Sequence, residues 1–279
     1  MTEATAGGGE SRRVLLVKWG GSLITDKRTP EAARPAEIAR LAGELAAGLP
    51  AARRRGLAVV LGHGSGSFGH VAAARHRVAE GLAPGDAAQL AGIAETQSRA
   101  AALHRLVLDA LAAAGVAAWS IAPSSMLVTA GGEPAATCAE PVARALSTGL
   151  LPVVYGDVVA DRRQGVAIAS TETVFLALAA ALPEHGWRAA EALWLGDTPG
   201  VYDDTGRPLP ALTPAEAARL APGGSAGTDV TGGMAHRLAA AVALAEAGTP
   251  STIADGRTPN LLADHLATGT SPGTRVSVP

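Results

Sequence analysis

The sequence predicts an α/β protein in which a mainly parallel sheet is covered by helices. Short apolar and β-branched runs, which are typical of buried strands, recur along the 279 residues. Longer segments rich in Ala, Leu, Glu and Arg separate these runs and have helical periodicity. Strands that alternate with helices in this way pair in parallel, so we expect one sheet with helices packed against it.

Seven runs are predicted as strands because they are short, apolar and rich in β-branched residues. They are Arg13–Lys18, Leu57–Leu61, Ala117–Ile121, Leu151–Tyr155, Ala192–Leu195, Ser251–Ala254 and Arg275–Val278. A hairpin is predicted over Val158–Ala169, because the sequence alternates on both sides of the turn-like segment Arg162-Arg163-Gln164-Gly165.

Five segments are predicted as helices from their periodicity and their end signals. They are Pro35–Leu49, Asp86–Ala114, Glu172–Leu182, Pro214–Leu220 and Met234–Ala247. The Gly/Pro/Ser-rich stretch Ala221–Gly227 predicts a mobile surface loop rather than a domain boundary. Residues 1–12 predict a disordered tail, and we expect residues 13–279 to form a single domain.

Composition argues against several classes of partner. The formal net charge is -2, from 23 basic and 25 acidic residues, and the aromatic residues are 4 Trp, 2 Tyr and 2 Phe. Nucleic-acid-binding proteins usually carry a basic surface and stacking aromatic rings, so we expect no nucleic-acid partner. The N-terminus has no apolar core and the uncharged stretch Ala110–Gly132 contains Pro123, so we expect no membrane segment. The single cysteine, Cys138, suits the reducing cytoplasm.

Lysine is confined to one part of the chain. Only Lys18 and Lys27 are lysines, all other basic residues are arginines, and both lysines flank one Gly-Gly-Ser loop. Lysine carries a compact charge on a flexible stem, whereas arginine carries a planar fork. This confinement predicts a site that needs a point charge.

Two glycine-rich motifs each follow a predicted strand. They are KWGGS over Lys18–Ser22 and HGSGSFGH over His63–His70. Glycines let backbone amides approach an anion without a Cβ in the way, although the first motif also fits an ordinary tight turn. The second contains G-x-G-x-x-G, but a dinucleotide fingerprint follows the first strand and is itself followed, about 20 residues later, by an acidic residue that ends the next strand. Here the motif follows the second predicted strand, and the stretch after it is predicted to be helical. Two such loops fit two phosphoryl groups that face each other.

The remaining polar motifs allow more than one interpretation. TDVTGGM, Thr228–Met234, leads into an apolar helix and predicts an anion site at its N-terminus, or only a cap by Thr231. Asp157 and Glu172 follow strands, where ligands bind in open α/β sheets, yet either acid could cap a helix or lie in a solvated loop. His70 is a candidate phosphate ligand or a structural hydrogen-bonding group.

In their order and spacing the motifs resemble the isopentenyl phosphate kinases of the amino acid kinase superfamily. That family shows K-x-G-G-S with a second lysine, H-G-G-G-[SA]-F-G-H, a P-S-S segment, a G-D-V hairpin, S-G-D-D and D-V-T-G-G-M. The corresponding segments here are KWGGSLITDK, HGSGSFGH, Pro123-Ser124-Ser125, Gly156-Asp157-Val158, STET over Ser170–Thr173 and DVTGGM over Asp229–Met234. The resemblance covers about residues 14–278, and its F-G-H ending is shared mainly with isopentenyl phosphate kinases and fosfomycin kinases.

The resemblance implies the amino acid kinase fold, a three-layer α/β/α sandwich with a mainly parallel central sheet. Residues 13–155 would mainly bind the acceptor and residues 156–279 mainly the nucleotide. ATP and Mg²⁺ are the implied cofactors and a homodimer the implied assembly. The implied reaction transfers the γ-phosphoryl group of ATP to the phosphate of a small monoester, with isopentenyl phosphate as the leading candidate. A fosfomycin-type phosphonate kinase and a non-catalytic nucleotide-binding regulator are the alternatives.

By position, the resemblance also implies roles for individual residues. The catalytic residues would be Lys18, Lys27 and His70. The ATP site would comprise Lys18, Gly20, Gly21, Ser22, Gly66, Asp197, Gly232, Gly233 and Arg237. The acceptor site would comprise Gly64, Ser65, His70, Asp157 and Thr171. No protein side chain is assigned to a metal ion.

The chain departs from the family pattern at four places. Ser65 stands where the family has glycine, and Thr171-Glu172-Thr173 replaces G-D-D. Asp197-Thr198-Pro199-Gly200 replaces D-V-D-G, and Arg237 stands where a phosphate-contacting lysine is expected. Three of these departures lie at the predicted phosphate positions, so they bear on the identity of the acceptor.

Overall fold

Strands and helices alternate along most of the chain in a computed structural model that describes residues 11–26, 28–83, 85–220 and 232–279. The strands are β1 (Arg12–Trp19), β2 (Leu57–His63), β3 (Ala118–Ser120), β4 (Leu127–Ala130), β5 (Glu133–Thr137), β6 (Leu151–Tyr155), β7 (Asp157–Asp161), β8 (Gly165–Ala169), β9 (Trp187–Gly196), β10 (Ala211–Leu212), β11 (Ser251–Asp255) and β12 (Thr274–Val276). The helices are α1 (Gly21–Ile24), α2 (Pro35–Arg54), α3 (Gly66–Arg75), α4 (Ala87–Ala113), α5 (Glu140–Ser147), α6 (Thr171–Ala181), α7 (Pro214–Leu220), α8 (Gly232–Glu246) and α9 (Leu261–Thr268).

Eight strands form the main sheet, in the order β10-β12-β11-β9-β1-β2-β6-β3. Neighbouring strands are parallel except β11 and β12, so the prediction of a mainly parallel sheet is confirmed. Strand β1 lies between β2 and β9, and Lys18 near its end is in register with Gly62 and Trp194. The carboxyl ends of these three parallel strands therefore lie side by side.

The side chains of β1 alternate between two hydrophobic cores, because successive residues of a strand point to opposite faces. Val14 and Leu16 belong to one core together with residues of α6 and α8. Leu15 and Val17 belong to the other, with residues of α2, α4 and α9. The sheet thus lies between two helical layers, which confirms the predicted α/β/α sandwich. By the same alternation Lys18 lies on the α6 and α8 face.

A second sheet of four strands, in the order β5-β4-β7-β8, was predicted only in part. The predicted hairpin is present as β7 and β8, but the hairpin of β4 and β5 was not predicted. Asp161 joins the two hairpins, since its carboxylate accepts hydrogen bonds from the Thr129 hydroxyl and from the backbone amides of Gly131, Gly132, Arg163 and Gln164. Burial raises the pKa of this carboxyl, but these backbone donors outweigh it and hold the pKa well below its usual range.

Other boundaries refine the sequence prediction. Strand β1 begins at Arg12, so the predicted tail extends too far, and residues 1–10 lie outside the described part of the chain. The predicted loop Ala221–Gly227 also lies outside it. The five predicted helices are present, α7 with the predicted ends and the other four with shifted ends, whereas α1, α3, α5 and α9 were not predicted. Within the described ranges, none of the helices combines the length and the apolar character that crossing a membrane requires.

Three histidines are buried in the interior. His63 is fully buried, and His104 and His265 are 4% and 1% exposed. Burial lowers the pKa of His63 to about 4, and burial together with neighbouring positive charges lowers that of His104 to about 3 and that of His265 to about 4. The folded protein therefore keeps these imidazoles neutral at pH values at which the unfolded chain protonates them.

We expect the free energy of unfolding to fall by about 1 kcal/mol for each of these histidines when the pH is lowered from about 7.5 to about 5.5. The unfolded chain takes up protons below the ordinary histidine pKa of about 6.5, so stability is lost as the pH falls through this window. Urea unfolding at both pH values measures the change. His265→Gln is the control and should remove about a third of it. Equal stability at both values would show that the imidazoles are protonated in the folded state.

Candidate active site

The two glycine-rich loops are in backbone contact at the carboxyl ends of β1 and β2. A Cβ added at Gly21 would lie 2.7 Å from the Gly66 nitrogen, and one added at Gly64 would lie 2.9 Å from the Gly21 nitrogen. Both distances are shorter than real Cβ atoms allow, so the loops approach this closely only because both positions are glycine. The structure therefore brings together the two motifs that the sequence predicts to face each other.

Thr25 fixes the relative position of the two loops. Its hydroxyl donates to the Gly21 carbonyl at 2.7 Å and accepts from the Ser67 amide at 3.1 Å. Gly66 has a φ of +50°, in the left-handed region, and a Cβ there would overlap the Thr25 side chain. Helix α3 begins at this glycine, so its first amides lie beside the loop that follows β1.

A buried cluster of charges lies beside the first loop. Lys18 at the end of β1 forms an ion pair with Glu172 in the first turn of α6. Arg237 of α8 is close enough to influence the ionisation of both. The three residues are between 6% and 7% exposed. Glu172 was predicted only as a polar group near a strand end, and the structure makes it the counter-ion of the predicted catalytic lysine.

Burial opposes the charge of every side chain in this cluster, and the opposite charges nearby counteract it. Burial lowers the pKa of Lys18, and Arg237 lowers it further, while Glu172 opposes both. Burial raises the pKa of Glu172, but the two cations outweigh burial and hold that pKa below its usual value. Burial also lowers the pKa of Arg237, against the effect of Glu172 and of the half-buried Asp197, which follows β9. Two basic groups thus face two acids, and a bound phosphate would compete with these acids for the two cations.

Arg237 occupies space that two glycines leave open, and one of its hydrogen-bond donors is unused in the part of the chain that the structure describes. A Cβ added at Gly196 would lie 2.8 Å from its Cζ, and one added at Gly20 would lie 3.5 Å from its Nη2. The guanidinium thus lies in space that two glycines leave open. Its buried Nε has no hydrogen-bond partner among the described residues. Because an unpaired buried donor is costly, this atom favours an acceptor such as a phosphate oxygen.

The predicted acceptor residues line a second region, beyond the loop that follows β2. Ser65, His70 and Asp157 line one small cavity of about 30 Å³, which is large enough to hold water. His70 donates from Nδ1 to the Gly66 carbonyl at 2.7 Å, and its exposed ring leaves Nε2 for another partner. Burial raises the pKa of Asp157, and a hydrogen bond from Ser124 opposes the increase.

The structure gives the other predicted site residues varied surroundings. The Thr171 hydroxyl is buried and donates to the His63 carbonyl at 2.7 Å, so it ties α6 to β2. Ser22 is half-buried in α1, and Gly232 and Gly233 begin α8. Lys27 and Thr228–Thr231 lie outside the described residues. The binding roles assigned to these residues remain predictions.

Comparison with known proteins supports the same family that the motifs indicate. The family model described as amino acid kinase family matches residues 13–255. The chain belongs to this family. Among curated relatives of this family member, the isopentenyl phosphate kinase of Haloferax volcanii is 37% identical over 266 residues, which cover 94% of this chain and 97% of that protein. The isopentenyl phosphate kinase of Methanothermobacter thermautotrophicus is 29% identical over 279 residues, covering 95% and 99%.

The fold of this chain also resembles that of a solved relative. An X-ray structure of isopentenyl phosphate kinase superposes with a TM-score of 0.78 at 26% identity, and the match covers 94% of this chain and 99% of that one. The chain is therefore an isopentenyl phosphate kinase-like member of the amino acid kinase family.

A second cavity lies far from the paired loops. Its volume is about 700 Å³, and it lies at the opposite end of the sheet, where β1, β2, β6 and β9 begin. Its lining is mostly apolar, with Arg12 and Arg53 as charged members. The paired glycine loops and the buried charges mark the other end instead.

A metal ion at this site would be bound mainly through the nucleotide. No group of three or more His, Cys, Asp or Glu side chains among the described residues is placed to hold an ion. Mg²⁺ that arrives with ATP takes most of its ligands from phosphate oxygens and water, so such a group is not required. The buried Arg237 Nε, which has no partner among the described residues, fits the phosphates that would carry the ion.

Proposed function

We propose that this chain transfers the γ-phosphoryl group of ATP to the phosphate of isopentenyl phosphate, giving isopentenyl diphosphate and ADP. The observation that carries the proposal is that the paired glycine loops lie between the buried charge cluster and the small cavity. Lys18 and Arg237 lie on one side of these loops, and His70 and Asp157 lie on the other. The similarity to isopentenyl phosphate kinases over almost the whole chain supports the same acceptor.

The reaction needs no general base from the protein. A phosphate monoester has a second pKa of about 6, so at neutral pH its oxygen is already a competent nucleophile. This oxygen attacks the γ-phosphorus, the bond between the γ-phosphorus and the β-bridging oxygen breaks, and ADP leaves with the electron pair. Catalysis then consists of positioning and charge neutralisation, which the glycine loops and buried cations provide.

Each part of the site has a defined task in this proposal. Lys18 and Arg237 hold the donor phosphates against the amides of the first loop, and Lys27 assists them. His70 holds the acceptor phosphate, and its imidazolium form donates from Nε2 while Nδ1 remains bonded to the Gly66 carbonyl. Ser65 lies between donor and acceptor. When bound, Mg²⁺ neutralises the charge that develops on the β- and γ-phosphate oxygens.

The proposal also includes the domain organisation, the assembly and the location of the protein. Residues 13–279 form one domain, in which the eight-stranded sheet contains strands from both the acceptor half and the nucleotide half. The family resemblance supports a homodimer. The single cysteine, which is exposed, suits the reducing cytoplasm, where we place the protein.

Coupled measurement of ADP formation tests the function with a panel of isoprenyl phosphates, small alkyl phosphates and fosfomycin. We expect isopentenyl phosphate to give the highest kcat/KM. A preference for fosfomycin would establish a phosphonate kinase instead. The segment Thr171-Glu172-Thr173, which is bulkier than the G-D-D of the family pattern, slightly favours this alternative. ATP binding without turnover on any member would establish a nucleotide-binding regulator.

His70→Ala is expected to weaken binding of isopentenyl phosphate by at least about tenfold and to leave ATP binding nearly unchanged, because a hydrogen bond to a charged group contributes about 1.5–3 kcal/mol. Titration calorimetry with each ligand measures the two affinities. His185→Ala serves as the control, because His185 lies in a 3₁₀ turn just before β9 begins, at the end of the sheet opposite the site. Equal losses for both ligands, or none, would remove His70 from the acceptor site.

Arg237→Lys is expected to retain folding but to lower kcat by about tenfold, because lysine restores the charge and not the two-pronged contact with phosphate. The glycine-lined space around the guanidinium would remain partly empty. Steady-state kinetics and thermal unfolding measure the two effects. Unchanged or improved turnover would show that Arg237 contributes only its charge.

A further inference from the structure

A chain of hydrogen bonds connects the second glycine loop to the edge of the main sheet. His63, the last residue of β2, bonds through Nδ1 to the Gly64 carbonyl at 3.1 Å. Its Nε2 bonds to Nδ1 of His104 in α4 at 3.0 Å, and the Nε2 of that histidine bonds to the Ser120 hydroxyl at 2.9 Å. None of the assigned phosphate contacts uses these side chains.

The first acceptor in the chain sets the direction of all three bonds. The Gly64 carbonyl can only accept, so His63 Nδ1 carries the proton. Burial keeps both imidazoles neutral, so His63 Nε2 must accept from His104 Nδ1. The remaining nitrogen of His104 then accepts from Ser120. One arrangement of protons satisfies every nitrogen of the two rings.

Packing fixes the planes of the two rings. The Tyr155 ring stacks on His104 with a centroid distance of 4.3 Å and an interplanar angle of 27°. Its centroid lies 5.8 Å from that of His63. The His63 backbone is held as well, because its carbonyl accepts from the Gly156 amide at 3.0 Å and from the Thr171 hydroxyl. The donor that reaches Gly64 therefore has little freedom to move.

Holding the Gly64 carbonyl also orients the next amide. The peptide bond between Gly64 and Ser65 is planar and trans, so the Ser65 N–H points opposite to the carbonyl that His63 holds. The direction of this N–H is therefore fixed when the direction of the carbonyl is fixed. A Cβ added at Gly156 would lie 3.6 Å from the Ser65 nitrogen, and both residues line the small cavity with His70.

We propose that His63, His104 and Ser120 form a positioning chain that aims the Ser65 N–H at the transferring phosphoryl group. The inference rests on the proposed function and adds to it residues that touch neither substrate. A preorganised amide contributes only while its direction is maintained, and removing one such donor costs on the order of 10²–10³ in kcat in a well-studied protease. His63 of β2 and His104 of α4 lie in an otherwise apolar layer, and their hydrogen bonds maintain that direction.

Leucine and asparagine at position 63 separate positioning from packing, because the two side chains have similar shapes. His63→Leu removes the donor to Gly64, whereas His63→Asn keeps an N–H near the place of Nδ1. We expect kcat to fall at least about tenfold in His63→Leu and to stay within about threefold of wild type in His63→Asn. The KM for ATP should change by less than about twofold in both. Thermal unfolding of both variants controls for folding.

His104→Leu and His104→Asn provide a second pair if His63→Leu does not fold. Leucine leaves His63 Nε2 unpaired, whereas asparagine donates to it, so kcat should fall in the first and recover in the second. Equal losses within the pairs, or no loss in any of these variants, would overturn the positioning role.

Backbone ¹⁵N spectra of the full chain with ADP and isopentenyl phosphate test the same inference without turnover. The Ser65 amide resonance should shift in the leucine variants and match wild type in the asparagine variants. A Ser65 resonance that is unchanged in the leucine variants would refute the inference even if the enzyme is active. If wild type transfers no phosphoryl group, the proposed function fails, and a Ser65 amide that still follows the predicted pattern would support the orienting chain alone.

Discussion

We expect Lys18→Ala to lower kcat/KM for phosphoryl transfer by a factor on the order of 10² or more. A positive point charge beside the transferring group makes a large electrostatic contribution to the stability of the transition state. The lysine is buried and its ammonium group pairs with Glu172, so its direction is set before substrate binds. Its removal would leave Arg237 as the remaining described cation of the cluster. Steady-state kinetics at saturating Mg²⁺ and ATP measure the loss.

Folding must be measured beside the kinetics for this variant. Removing one partner of a buried ion pair commonly costs about 3–5 kcal/mol, because the other charge stays buried. Arg144→Ala is a suitable control, since Arg144 pairs with Glu140 on an exposed helix face. It should change kcat/KM by less than about twofold. A loss below about threefold in a folded Lys18→Ala protein would reduce Lys18 to a structural role.

Gly21→Ala is expected to lower kcat by on the order of tenfold to 10²-fold and to destabilise the fold by about 1–3 kcal/mol. The new methyl group would lie 2.8 Å from the Gly66 Cα, so the two loops must separate. Displacements of about 1 Å are enough to disrupt in-line transfer. Kinetics and urea unfolding measure the two effects.

Gly43→Ala is the matched control for this substitution. Gly43 lies within α2, and a Cβ added there would meet nothing within 4 Å. The same change should leave kcat unaltered and stabilise the protein by up to about 1 kcal/mol, because alanine favours helix. An active and stable Gly21→Ala protein would show that the loops can separate without loss of function.

Local patterns account for what the sequence predicted about the fold. The alternation of Val14, Leu15, Leu16 and Val17 between two cores is what a central strand covered on both faces requires. The hairpin of β4 and β5 was missed although a signal was available. Gly131 and Gly132, with φ of +67° and +85°, form the kind of two-glycine turn that joins hairpin strands, but the strands beside it are short.

Such patterns could not predict which charged residues of the candidate site pair with each other. Lys18 and Glu172 are 154 residues apart, and their pairing follows from the packing of α6 on the face of β1 that carries Lys18. The stack of His63, His104 and Tyr155 depends likewise on where α4 crosses the sheet. Sequence periodicity states which face a residue occupies, but not which residue of a distant helix will meet it.

The division of the strands into two sheets has a consequence for how this enzyme can diversify. Among the described residues, the four-stranded sheet shares no hydrogen-bonded ladder with the eight-stranded sheet, which contains Lys18 and ends beside Gly64. Asp161 ties its two hairpins into a unit, and Asp157 at the start of β7 lines the small cavity. Because the β1 and β2 ladder does not include this unit, we expect changes of its strand length or turns to leave the register of β1 and β2 intact. Selection would then be able to remodel the wall of the small cavity without altering the two loops of the proposed phosphoryl transfer.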